Sequence, residues 1–165
     1  MRTFGLVLAI VCCHLAACGT PKPYQSKLDP LAIQQMQSSE FETSKDILFA
    51  SVVSVFQDTG FTIEAADLDT GIVTAKSATQ SDSSFWTSST YSLTTKGSAF
   101  VEEVRPGFAK VRLNFVEVTE RRGYYGGGGN TDIPVENPAV YEKTFQKIRE
   151  AVFLREANRG GNAKK

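Results

Sequence analysis

Histidine is nearly missing from this chain, and cysteine is confined to its start. His14 is the one histidine, and the three cysteines, Cys12, Cys13 and Cys18, all precede residue 19. From residue 19 onward no side chain can form a disulfide, act as a thiolate or offer an imidazole nitrogen. That removes Ser-His-Asp and Cys-His catalysis, the usual zinc ligand sets, and the group that most often moves protons near neutral pH. Carboxylate-pair, Ser-Lys and tyrosine chemistry remain, and each needs a local constellation. An excess of one charge is also missing: 18 Lys and Arg face 18 Asp and Glu, which gives no signature of a nucleic-acid partner. The apolar run at residues 4–13 stops at His14, well short of the roughly 20 residues a membrane-spanning helix requires.

What the first residues do hold is secretory grammar: a positive Arg2, the short apolar run, then Ala16 and Ala17 just ahead of Cys18. The segment Leu15, Ala16, Ala17, Cys18 resembles the lipobox of bacterial lipoproteins. The resemblance implies that the Cys18 thiol receives a diacylglycerol, that residues 1–17 are cut away as a signal peptide, and that the new amino group of Cys18 takes a fatty acyl chain such as palmitate. Two or more such chains hold a protein stably at a membrane, whereas one holds it only reversibly. Lipoproteins kept in the inner membrane of enteric bacteria often carry Asp after the cysteine. Gly19 stands there instead, so the resemblance implies an outer-membrane anchor with the domain in the periplasm. An ordinary signal peptide with a chance cysteine, or a buried apolar N-terminal helix, are the alternatives. Beyond this lipid no cofactor and no metal are expected.

Residues 18–32 hold Pro21, Pro23 and Pro30 with little to bury, and are expected to form an extended tether. Residues 33–157 are expected to be one domain, and 158–165 a disordered basic tail. A weak strand is expected within residues 33–42, around Met36 and Phe41. Thr43 is the expected cap of a helix at 44–59, in which Leu48, Val52, Val55 and Phe56 share a face and Gly60 provides the stop. Phe61 to Ala66 and Ile72 to Lys76 flank a turn cluster at 67–71, which predicts a hairpin. Two further strands are expected on either side of Pro106 and Gly107. In the second, Phe115, Val116 and Val118 break alternation, which predicts either a bulge near Val116 or an end buried on both faces. Pro138 opens a second helix with Tyr141, Phe145, Ile148 and Val152 on its inner face.

Connections this short pair neighbouring strands antiparallel. The expected fold is α+β: a two-layer sandwich of an antiparallel sheet of about five strands with two helices on one face, in the order β-α-β-β-β-β-α. This order resembles, in topology alone and over residues 34–157, the helix-grip-like domains of some outer-membrane assembly lipoproteins.

Two segments hold the candidate partner-binding residues. Trp86, the one tryptophan, lies in a Ser/Thr-rich stretch at 77–98 that also carries Tyr91 and Leu93. It either anchors a partner or caps the core. Arg121, Arg122, Tyr124 and Tyr125 precede four glycines at 126–129. They either stand on a flexible tip for a protein or glycan partner or fold back on the sheet edge. The glycines do not make a phosphate cradle, because no Lys-Ser or Lys-Thr pair follows them. Asp67 with Asp69 reads as turn chemistry, and Glu102 with Glu103 would point to opposite faces of a strand, so neither is an acid-base dyad.

The expectation is therefore a non-enzymatic interaction or accessory module in envelope assembly or transport, held at the membrane through Cys18, with a periplasmic or outer-membrane protein as partner. The alternative is a binding protein for a small apolar or glycan ligand, with a cavity lined by Val111, Leu113 and Phe115. An enzyme working with carboxylates alone is the third possibility.

Overall fold

The computed structural model describes residues 24–84, 89–123 and 128–162. Cys18, Trp86, Tyr124 and Tyr125 lie outside the described residues. In chain order the elements are α1 (Pro30–Met36), β1 (Ser38–Phe41), α2 (Lys45–Asp58), β2 (Phe61–Asp67), β3 (Ile72–Ser77), β4 (Gln80–Ser84), β5 (Ser89–Arg105), β6 (Phe108–Gly123), β7 (Gly128–Pro134) and α3 (Pro138–Asn162).

The periodicity of α2 decides what it buries. Leu48, Phe49, Val52, Val55 and Phe56 form its inner face, and Thr59 closes the last turn by donating its hydroxyl to the Val55 carbonyl at 2.6 Å. The cap is Ser44 rather than Thr43. Ser44 has extended backbone angles, and its hydroxyl donates to the Asp46 carboxylate. That bond, followed by the Arg159 guanidinium 3.1 Å from Asp46, holds the Asp46 carboxyl below its ordinary range. Thr43 is displaced from the cap because its side chain is buried, and among the described residues its hydroxyl has no hydrogen-bond partner.

Among the described residues seven antiparallel strands make the sheet, two more than expected. The main path runs β1-β6-β5-β3-β2, with β4 also on β5 and β7 also on β6. The two long central strands thus have two successive sets of neighbours. Phe100 of β5 lies between Ile72 of β3 and Arg112 of β6, whereas further along Leu93 lies between Gln80 of β4 and Thr119 of β6. On β6, Val111 pairs with Ser39 of β1 and Thr119 with Thr131 of β7.

One side of the β3-β5-β6 region is the core floor. Val73, Ala75, Ala99, Val101, Ala109, Val111, Leu113 and Phe115 cluster there with α2 and with Tyr141, Phe145, Ile148 and Val152 of α3. Burying each large apolar side chain contributes about 1.5–3 kcal/mol, and the two helical stripes lie where their spacing places them. The α+β two-layer architecture of the sequence reading is the one found.

Three local expectations change, and one that was open between two arrangements is decided. Residues 30–36 are helical where tether and then strand were expected: Pro30 occupies the first turn, where a missing N–H costs nothing, and the Asp29 carboxylate accepts the Leu31 N–H at 3.1 Å. The first strand shrinks to β1. No bulge occurs near Val116, because β5 and β6 stay in register from Ser89↔Gly123 to Glu103↔Ala109, and the shift comes after Glu103. Phe115 and Val118 are instead buried on opposite faces, the second of the two expected arrangements. Finally, α3 continues to Asn162 through residues read as tail, with Arg155 donating to the Ala50 carbonyl at 3.2 Å and Arg159 paired with Asp46.

Candidate functional site

Alternate residues of a strand share a face, and directly paired residues share it too. Tyr91, Leu93 and Thr95 therefore lie on the same side as Gly97, Ala99 and Val101, the side that helices cover lower down. Glu117, Thr119 and Arg121 continue the Val111, Leu113 and Phe115 side of β6, and Ile133 of β7 stands opposite Glu117. The core cluster takes no residue from β4 or β7 and none from β5 before Ala99 or β6 after Phe115. On this unbacked half Tyr91, Leu93 and Ile133 are each about 40% exposed. Tyr91 lies under the Arg121 guanidinium, 5.5 Å from ring centre to cation, a cation–π contact.

Where the covered half gives way to the unbacked half, the helices leave a groove of about 440 Å³, bordered by the end of α2, the start of α3 and the sheet. Its floor is aromatic. Phe115 packs on Phe56 and Phe61, each at 6.0 Å between ring centres, and on Tyr141 at 5.5 Å. Gly97 leaves room for this density: a β-carbon there would lie 3.2 Å from the Phe115 ring and 3.3 Å from that of Phe61, close enough that the rings would have to shift. Lys143 and Lys147, one turn apart on α3, line the groove together with Glu117 of β6. Tyr141 ties the wall by donating its hydroxyl to the Val135 carbonyl at 2.9 Å.

The sequence candidates divide. Arg121 and Arg122 belong to β6 rather than to a loop, and as strand neighbours they face opposite sides. Arg121 lies on Tyr91, while Arg122 pairs with Glu120 at 3.5 Å, so the two do not form one cationic patch. Gly128 and Gly129, read as part of a mobile loop, open β7 and pair with Arg122 and Arg121. Trp86, Tyr124 and Tyr125 fall in the two connections outside the described residues. The flanks of those connections are adjacent: Ser84 pairs with Ser89, Ser89 with Gly123, and Arg122 with Gly128. Both connections thus begin and end at one end of the sheet.

Asp67 is a turn residue, its carboxylate accepting the Thr70 hydroxyl at 2.8 Å and the Asp69 N–H at 3.0 Å. Those bonds, Thr70 first, keep its carboxyl below the ordinary range. Glu102 and Glu103 are both exposed, on successive positions of β5. The Ser44 hydroxyl serves Asp46, and the Lys45 ammonium donates to the Asp69 carbonyl at 3.0 Å, so this Ser-Lys neighbour pair is not assembled as a nucleophile. Val111 and Leu113 are wholly buried in the core. The hollow lies beside Phe115 alone and opens outward.

Sequence inspection overlooked Lys143 and Lys147 as a site. Their i, i+4 spacing was visible, but the Phe115 and Phe61 rings below them come from two distant strands. Ile133 was missed because its strand, with Gly128, Gly129 and Pro134, has no alternating apolar pattern. Among the described residues no helix is long and apolar enough to cross a membrane. No family model matches the chain, and no curated protein shows a significant match to it.

Proposed function

We propose that this chain is a membrane-anchored lipoprotein whose domain faces the periplasm and works without catalysis, as an interaction module in envelope assembly or transport. The observation that carries the reading is the unbacked half of the β5–β6 ribbon. A sheet face that is core for half its length continues outward with Tyr91, Leu93 and Ile133 exposed, and apolar side chains grouped in this way mark contact surfaces. The anchor rests on the resemblance of Leu15, Ala16, Ala17 and Cys18 to a lipobox. From a lipidated Cys18 the chain reaches at most about 20 Å to Tyr24. Partial shielding and the neighbouring Glu136 carboxylate both push the Tyr24 phenol up, so the tether meets the domain beside the strand-to-helix connection that carries Val135 and the groove. An outer-membrane location follows from Gly19 on the same resemblance.

Photo-crosslinking in cells tests the surface. Benzoylphenylalanine at Leu93 or Ile133 is expected to yield one discrete protein adduct that disappears when Tyr91 is replaced by Asp. The same probe at Phe153, 70% exposed on α3, is expected to yield none. Adducts of equal strength from Phe153, or none from the sheet positions, would contradict the assignment.

A further inference from the structure

We propose that the groove over Phe56, Phe61 and Phe115 is a docking site for an extended segment of a protein partner that carries a carboxylate next to a large apolar side chain. The inference rests on the interaction-module reading and gives the partner its chemistry.

The lining of the groove is complementary to such a segment. The floor is apolar and aromatic, with Val135 and Val140 at its margin, so it accepts a hydrophobic side chain and gains from removing it from water. One wall is cationic. Lys143 and Lys147 lie on the same side of α3, and among the described residues neither ammonium is within ion-pair distance of a carboxylate. The first turn of α3 carries no acidic residue, although acidic side chains are favoured at that end. Two lysines in the N-terminal half of a helix without a balancing first-turn carboxylate leave positive potential over the groove. Glu117 of β6 is the one carboxylate among the lining residues, so the two ammonium groups outnumber it and the lining keeps a net positive charge. The arrangement therefore orients an occupant: anion toward α3, apolar group onto the rings, remainder along the Thr95 and Leu93 side of β5.

The volume, about 440 Å³, suits one or two side chains and lies within the range of about 300–1,000 Å³ found for ligand sites. The groove is open and continuous with the exposed strand face, which favours a segment of extended polypeptide over a lipid tail needing enclosure.

The test is selection of random octapeptides by display against the full lipidated chain in nanodiscs, with counter-selection on empty nanodiscs. The expected winners carry Asp or Glu within two positions of Phe, Leu or Trp. As synthetic peptides, they should bind the Lys143→Gln, Lys147→Gln double variant at least tenfold more weakly, and the same loss should follow when their acid is replaced by its amide. Lys143 is exposed and Lys147 half-buried, so the variant is expected to melt as the wild type does. Winners that bind the double variant unchanged would overturn the groove assignment and leave the interaction-module reading intact. An absence of winners, with palmitate binding instead and lost in the double variant, would overturn the inference in favour of an amphiphile. An absence of winners without palmitate binding would overturn it outright.

Discussion

Alanine at Gly71 is expected to cost about 4 kcal/mol or more and to leave little folded protein. Gly71 has φ +77°, and a β-carbon built on it would lie 2.0 Å from the Val101 carbonyl oxygen. The left-handed backbone alone accounts for about 1–2 kcal/mol. The remainder comes from the contact, which cannot relax easily because the Val101 N–H donates to the Gly71 carbonyl at 2.8 Å. Moving the turn away from β5 would break that bond next to Val101, a wholly buried core residue. Gly107 is the control. Its φ is +80°, but nothing lies within 4 Å of the position a β-carbon would take, so Gly107→Ala should cost only about 1–2 kcal/mol. Urea titration of the two variants measures the difference, and equal midpoints would show that the turn does not press on β5.

The second large effect is expected at Phe115. Its ring joins Phe56, Phe61 and Tyr141, and it lies across from Gly97, whose missing side chain makes room for it. Phe115→Ala removes a buried aromatic and leaves a void under both helices, a loss of about 3–5 kcal/mol. Domains of this kind have about 5–15 kcal/mol in all, so the midpoint in urea should fall by about a fifth or more. Phe153→Ala, at a site 70% exposed, should stay within about 0.5 kcal/mol of wild type. A small loss at Phe115 would mean that the groove floor is not built on packed rings.

The parts of this fold that were legible in the sequence are those in which one chain segment decides its own burial. Leu48, Val52, Val55 and Phe56 declare a helical face, as do Tyr141, Phe145, Ile148 and Val152, and all eight are buried. The turns at Asp67 to Gly71 and at Pro106 and Gly107 were equally clear, because residues with positive φ punctuate them. The strands β4 and β7 were not legible. Gln80 to Ser84 is wholly polar and β7 is rich in glycine, so neither shows alternation, and both exist because the long neighbours β5 and β6 offer a backbone ladder beyond the core. Arg121 and Arg122 looked like a loop pair for the same reason. The groove needed tertiary information from the start: Lys143 and Lys147 on α3, Phe56 on α2, and Phe61 and Phe115 on two strands meet only once the sheet order is known.

The absence of His and Cys after residue 18 closes off the commonest chemistries, and the described residues present a ribbon face and a cationic groove. Both fit the recognition role proposed above, and an anchor at Cys18, as proposed from the lipobox resemblance, would fix where that recognition occurs. The most direct measurement is the intact mass of the protein purified from bacterial membranes, with fragmentation at its N-terminus. The account predicts a chain beginning at Cys18 with a diacylglycerol on sulfur and an acyl group on nitrogen, and retention of the unmodified precursor when Cys18 is replaced by Ala. A mature chain beginning elsewhere, or an unmodified Cys18 on a released soluble protein, would contradict it.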